Sequence, residues 1–144
     1  MRLSAEQAES HLSKHFAPVY LVHGDETLLV LEAADAVRAA ARRRGHTERE
    51  VLFVERGFDW SEFTHSAANQ SLFGDRKIVE LRLASGTPAA AAAQAIEGYC
   101  RNPNPGVALL ITMPRPEGSG WWKSAWFTAV DAAAAKDPEE LARL

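Results

Sequence analysis

Cysteine is almost absent: Cys100 stands alone among 144 residues, so no disulfide can close within the chain and a bridge-stapled secreted fold is excluded. Long apolar runs are missing as well. Stretches such as Ala89 to Ala93 and Val107 to Ile111 fall far below the roughly 18 residues that a membrane-spanning helix needs, and the amino terminus has no signal-peptide core. The expected location is therefore the cytoplasm, with no membrane partner. Nor does one sign of charge dominate. A net charge of −3 at pH 7 provides no field to draw in a phosphate backbone, so direct nucleic-acid binding is not expected of this chain by itself. What is present is ordinary globular composition, 47% hydrophobic and 24% charged, in a length that suits a single domain.

Four short β-like runs alternate with helical patterns. "VYLVHG" (Val19 to Gly24), "VLFVE" (Val51 to Glu55), "KIVELRL" (Lys77 to Leu83) and "VALLITM" (Val107 to Met113) are rich in aliphatic residues and bounded by Gly, Pro or charge clusters. The first and last are nearly continuous apolar, as strands buried on both faces of a parallel sheet would be. Arg82 and the charges around the third run predict an edge or partly exposed strand there. Between the runs the period becomes helical. Leu28, Leu31, Ala34, Val37 and Ala41 form one stripe; Asp25 and Glu26 suit the positive helix start, and Arg42, Arg43, Arg44 and Gly45 suit its end. Further helices are expected from about Asp59 to Ala68, capped by Asp59 or Ser61, from about Pro88 to Tyr99, and from about Ser119 to Ala132, with a short leading helix over Ala5 to Lys14. The alternation predicts a three-layer α/β/α sandwich around a mostly parallel sheet.

The first strand-to-helix turn is where such folds bind phosphate. "GDETLLVL" can be tested against the P-loop pattern G-x-x-x-x-G-K-[ST]. Gly24 matches the first glycine, but Leu29, Val30 and Leu31 stand where the second glycine, the lysine and the hydroxyl belong. Asp25 and Glu26 add negative charge where a helix start would otherwise attract an anion. The turn reads as one that caps a helix and repels a triphosphate, an NTPase-like shape without its nucleotide.

Other chemical constellations are thin. His11 and His15 can face the same way on the leading helix, yet "HLSKH" lacks the zinc-protease glutamate and a third ligand, so ordinary surface or core histidines are the better reading. His23, beside the degenerate turn, is the histidine best placed in a cleft and still reads as structural. Cys100 reads as an inert buried thiol. The three arginines Arg42 to Arg44 are explained by a helix end without a phosphate. In "GSGWWKSAWF", Trp122 and Trp126 share a helix face that packs on the sheet, which leaves Trp121 as a candidate exposed aromatic.

"NQSLFGDRK" sets Leu72 and Phe73 among polar neighbours in a helix-to-strand connection. Large apolar side chains there either fold back into the core, which is the default, or project outward as an anchor for a partner's pocket.

The segments "APVYLVHGDETLLVLEAADAVR", "ERGFDWSEF", "NQSLFGDRKIVELRL" and "KSAWFTA" together resemble, in order and over about residues 1 to 130, the N-terminal domain of the delta subunit of the bacterial DNA polymerase III clamp loader. The resemblance implies an AAA+-type domain with a degenerate P-loop at Gly24, Asp25 and Glu26, no cofactor, no metal, and no catalytic activity of its own within the DNA polymerase III assembly. It implies that Leu72 and Phe73, flanked by Gln70 and Ser71, form a hydrophobic plug that binds and helps open the sliding clamp, the beta subunit, during replication. Other clamp-loader subunits would be contacted through a lid and a collar that this chain lacks, residues 131 to 144 being a tail or linker, and DNA would be met only through the complex. The rivals are a divergent nucleotide-binding α/β enzyme and a dimerising α/β scaffold joined through Leu72 and Phe73.

Overall fold

The computed structural model describes residues 5–68, 76–86, 88–116 and 120–134, apart from the side chains of residues 5, 6, 9 and 122. Along the chain run α1 (Ala5–Lys14), β1 (Val19–Gly24), α2 (Thr27–Arg43), β2 (His46–Val54), α3 (Trp60–Ala68), β3 (Arg76–Leu83), α4 (Ala90–Arg101), β4 (Val107–Pro114), a 3-10 turn (Trp121–Lys123) and α5 (Ala125–Ala134). All strand pairs are parallel and the order across the sheet is β1-β4-β3-β2.

Two cores lie on opposite faces of this sheet. On one, Leu12 and Phe16 at the end of α1 and Ala34, Val37, Ala40 and Ala41 of α2 pack on Ile78, Ala108 and Leu110. On the other, Phe63 and Ala67 of α3, Ile96 and Cys100 of α4, and Trp126, Val130 and Ala133 of α5 cover Val79, Leu81, Leu109 and Ile111. Alternation along β3 and β4 sends successive side chains to the two faces, and both faces are covered, so β4 reads as a nearly continuous apolar run. The expected α/β/α sandwich is met.

Several sequence expectations change, among them the last helix, expected from about Ser119 and found as the 3-10 turn followed by α5 from Ala125. The third strand is interior, between β4 and β2, and not at an edge. Its charge is accommodated because the carboxylate of fully buried Glu80 takes bonds from Arg38 Nη1 at 3.0 Å, Arg49 Nε at 2.6 Å and Arg82 Nη2 at 3.3 Å. A buried carboxylate is tolerable when hydrogen-bonded to cations in this way. β1, expected to be covered on both sides, is instead the terminal strand among the described residues and is half-buried beyond Val19. β2 begins at His46, five residues upstream of the apolar run, because "HTERE" pairs with β3 in spite of its polarity. On α2, Ala34, Val37 and Ala41 of the expected stripe are buried, but Leu28 is 67% and Leu31 50% exposed.

Local signals account for the element ends. Asp59 Oδ1 accepts from the Ser61 amide at 3.0 Å and from the Ser61 hydroxyl at 2.8 Å, so Asp59 is the group that caps α3 and Ser61 is the donor. Those bonds hold the exposed Asp59 carboxyl below the usual carboxylate range. Gly45 follows α2 at φ 91°, the left-handed position that ends helices at glycine, while Arg42 and Arg43 occupy the last turn.

Candidate functional site

At the C-terminal ends of β1, β3 and β4, a cleft of about 350 Å³ opens beside the β1–α2 turn. Gly24, Asp25, Val30 and Leu31 line it together with Leu83 and Arg115. Apolar Val30 and Leu31 stand where a P-loop would offer a lysine and a hydroxyl. Arg115, which follows β4, donates from Nη1 to Asp25 Oδ2 at 3.0 Å and so spans the mouth of the turn. The cation that sequence reading did not single out is thereby committed to a carboxylate of the same chain. Glu26 is the N-cap residue of α2 and makes no side-chain cap hydrogen bond. Sequence reading expected this turn to cap the helix; what acts here is charge near the helix start, which needs no hydrogen bond. Both acidic side chains are exposed at the position an anion would take.

The second candidate region is the connection between α3 and β3. Gln70, Ser71, Leu72 and Phe73 lie outside the described residues, whereas both flanks lie inside them. α3 is seated by aromatic packing that accounts for "ERGFDWSEF": Phe58 and Trp60 meet edge-on with centroids 5.0 Å apart, Trp60 and Phe63 at 5.9 Å, and Phe63 and Tyr99 of α4 at 5.7 Å. Ser66 of α3 donates to the Glu50 carboxylate, which also receives Lys77 Nζ at 2.9 Å. The Ser66 bond, with Lys77 assisting, holds the Glu50 carboxyl below its ordinary range. The end of α3 and the start of β3 are thus tied through one residue of β2.

The remaining candidates have contacts within the fold. His11 Nε2 lies 3.0 Å from the Tyr20 hydroxyl and its ring is 5.9 Å from that of His15. Burial first, then the neighbouring His15, lowers the His11 pKa. Among the described residues no group of three or more His, Cys, Asp and Glu side chains is arranged to hold a metal ion. His23 sits edge-on to Trp121 at 5.0 Å, and Trp121 in turn meets Phe127 at 4.8 Å. The expected exposed tryptophan is therefore half-buried against α5, while Trp126 is buried in the core as expected. The side chain of Trp122 lies outside the described residues. Cys100 is buried in α4, and no described helix is long and apolar enough to cross a membrane.

Comparison with known proteins gives a consistent result. The family described as "DNA polymerase III, delta subunit" matches residues 20–134. The DNA polymerase III subunit delta of Escherichia coli is 29% identical over 133 residues, covering 90% of this chain and 38% of that protein. The subunit of the same name from Haemophilus influenzae is 32% identical over 82 residues, 57% of this chain and 24% of that protein. Among solved structures, the Bacillus subtilis DNA clamp loader delta protein superposes with a TM-score of 0.70 at 18% identity, over 91% of this chain and 41% of that one. That likeness shows a shared fold. The chain spans well under half the length of these relatives. With four fifths of its residues matched by the family, a parallel sheet of the same fold and a first turn stripped of phosphate-binding groups, the chain belongs to the DNA polymerase III delta subunit family.

Proposed function

We propose that this chain is a non-catalytic, AAA+-like module that binds the sliding clamp of DNA polymerase III and helps to open it during replication in the cytoplasm. Leu72 and Phe73 are the anchors, with Gln70 and Ser71 beside them. The observation that carries this reading is the family match over residues 20–134, a span within which residues 69–75 fall. The β1–α2 turn agrees with it, since Asp25 and Glu26 oppose a triphosphate and Arg115 is paired with Asp25.

The mechanism needs no hydrolysis by this chain. Seating a Leu and a Phe in an apolar pocket contributes about 1.5 to 3 kcal/mol each. If the pocket fits better in the sprung form of the ring, the difference in affinity between the two forms shifts the ring toward opening. ATP acts elsewhere in the assembly and controls when the pair is available.

The test is the double variant Leu72→Ala with Phe73→Ala, titrated against the cognate clamp and melted in parallel. The expected result is loss of clamp binding with a thermal midpoint close to that of the parent chain. Retained binding, or a large drop in the midpoint, defeats the reading, the latter because it would place the pair in the core.

A further inference from the structure

The flanks of residues 69–75 are held by the turn that precedes β4. Asn104 Nδ2 donates to the Ala67 carbonyl at 3.0 Å and to the Ala68 carbonyl at 3.3 Å, at the very end of α3. On the other flank, the Lys77 amide donates to the Gly106 carbonyl at 3.0 Å. The turn itself is fixed: Asn104 Oδ1 accepts from the Gly106 amide at 2.9 Å, the Asn104 carbonyl from the Val107 amide at 3.0 Å, and the Asn104 amide donates to the Tyr99 hydroxyl at 3.3 Å. One side chain therefore does two separable things. Its oxygen shapes its own turn, and its nitrogen reaches 37 residues back along the chain to α3.

We infer that Asn104 is a positioning residue for clamp binding: its amide nitrogen fixes where the chain leaves α3, so that Leu72 and Phe73 are offered to the clamp from a pre-set start. The inference rests on the reading of Leu72 and Phe73 given above. The physical reason is entropic. A segment whose ends are fixed before binding has less freedom to lose when it docks, and affinity rises by that amount without any added contact. Final-turn helix carbonyls have no intrahelical donor, so Ala67 and Ala68 are natural receivers for such a tie. Glu50, bonded to both Ser66 and Lys77, is a second tie across the same two flanks.

Asn104→Asp separates the two roles, because it keeps the oxygen that accepts from Gly106 and removes the donor to Ala67 and Ala68. The cognate clamp is titrated with the parent chain, Asn104→Asp, Glu50→Gln, Leu72→Ala, the pair Asn104→Asp with Leu72→Ala, and the pair Leu72→Ala with Phe73→Ala. The expected result, read well below the thermal midpoints, is a roughly tenfold loss of affinity for Asn104→Asp and about threefold for Glu50→Gln, since interfacial ordering contributes on this scale; both midpoints fall, because the new carboxylate faces two carbonyl oxygens and buried Lys77 loses its charged partner. The two variants alter charge in opposite senses, so a shared loss is not a surface-charge effect. Added to Leu72→Ala, Asn104→Asp should cost less than it does alone, because the two act through one element. Amides of residues 69–75 in the free chain should exchange faster in Asn104→Asp. Parent-like affinity of Asn104→Asp, with binding lost in the Leu72 and Phe73 double variant, overturns this inference and leaves the function intact. Unchanged binding by that double variant removes both. Full additivity with Leu72→Ala reduces Asn104 to a folding role and also overturns it.

Discussion

Arg38 on α2 and Glu80 on β3 meet at 3.0 Å although 42 residues separate them in the chain, and the carboxylate that joins them is wholly buried. Arg38 also bonds Asp35, and Arg49 and Arg82 reach the same Glu80 from the sheet. The interior of the fold thus contains a charge that is admissible only while its partners stay in place. Glu80→Ala leaves Arg38, 12% exposed, without its principal partner, and a loss of about 3 to 5 kcal/mol is expected. Glu80→Gln, which keeps the shape and one acceptor, should lose less. Urea denaturation of both variants checks the order, and near-parental stability of Glu80→Ala would contradict the account.

Gly86, just beyond β3, is a close-approach glycine. A Cβ placed there would lie 2.2 Å from the Arg115 carbonyl oxygen and 3.3 Å from Pro116 Cα, backbone atoms that cannot swing aside. Gly86→Ala should destabilise by about 1 to 3 kcal/mol, as overpacking does. It should also disturb Arg115 and hence the pairing with Asp25. Gly98 is the control, for it lies within α4 with nothing inside 4 Å of a built Cβ. Gly98→Ala is expected to stabilise by about 0.5 to 1 kcal/mol. Equal effects at the two sites would refute the distinction.

Stability should fall as the pH drops below neutrality. His46 is buried at the start of β2, with Nδ1 3.2 Å from the Ala41 carbonyl and its ring against Phe16. Burial is the main cause that lowers its pKa, opposed by the Ala41 bond and aided by the charge of Arg76. The unfolded chain then binds the proton more readily than the folded one, so stability is lost as the pH falls through 6.5, the ordinary histidine value. His11, also lowered, acts in the same direction. Glu50, whose pKa is lowered from 4.5, contributes stability above that value and loses it as the pH falls through its folded value. Denaturation midpoints between pH 7.5 and 5.5, about one unit either side of the histidine value, should show a shallower slope in His46→Leu than in the parent; an identical slope would remove His46 as the cause.

Calorimetric titration with ATP and magnesium should show no saturable binding at micromolar nucleotide. Asp25 and Glu26 stand exposed at the start of α2, and Val30 and Leu31 supply neither the cation nor the hydroxyl that a triphosphate with magnesium requires. Micromolar affinity or turnover would restore the enzyme reading.

Much of this molecule was legible as a string of letters. The strand Val19–Gly24 and the helix Ala5–Lys14 fall where periodicity and punctuation put them, and the missing lysine and hydroxyl at Val30 and Leu31 are visible without coordinates. These are local properties: side-chain period, glycine and proline stops, and residue identity at a motif position act over a few residues. What tertiary structure alone decided is who meets whom. Arg82 and Glu80 made β3 look peripheral, yet guanidiniums from α2 and β2 converge on that carboxylate and let the strand sit inside the sheet. Nothing in "NPNPG" reveals that its second asparagine ties the end of α3, and nothing near Arg115 points to Asp25, 90 residues earlier. Such pairings depend on strand order and helix placement, which bring distant segments together only once the whole sheet has formed. Local pattern fixes what each segment can be, and long-range packing fixes which charges and amides are neutralised by which partners.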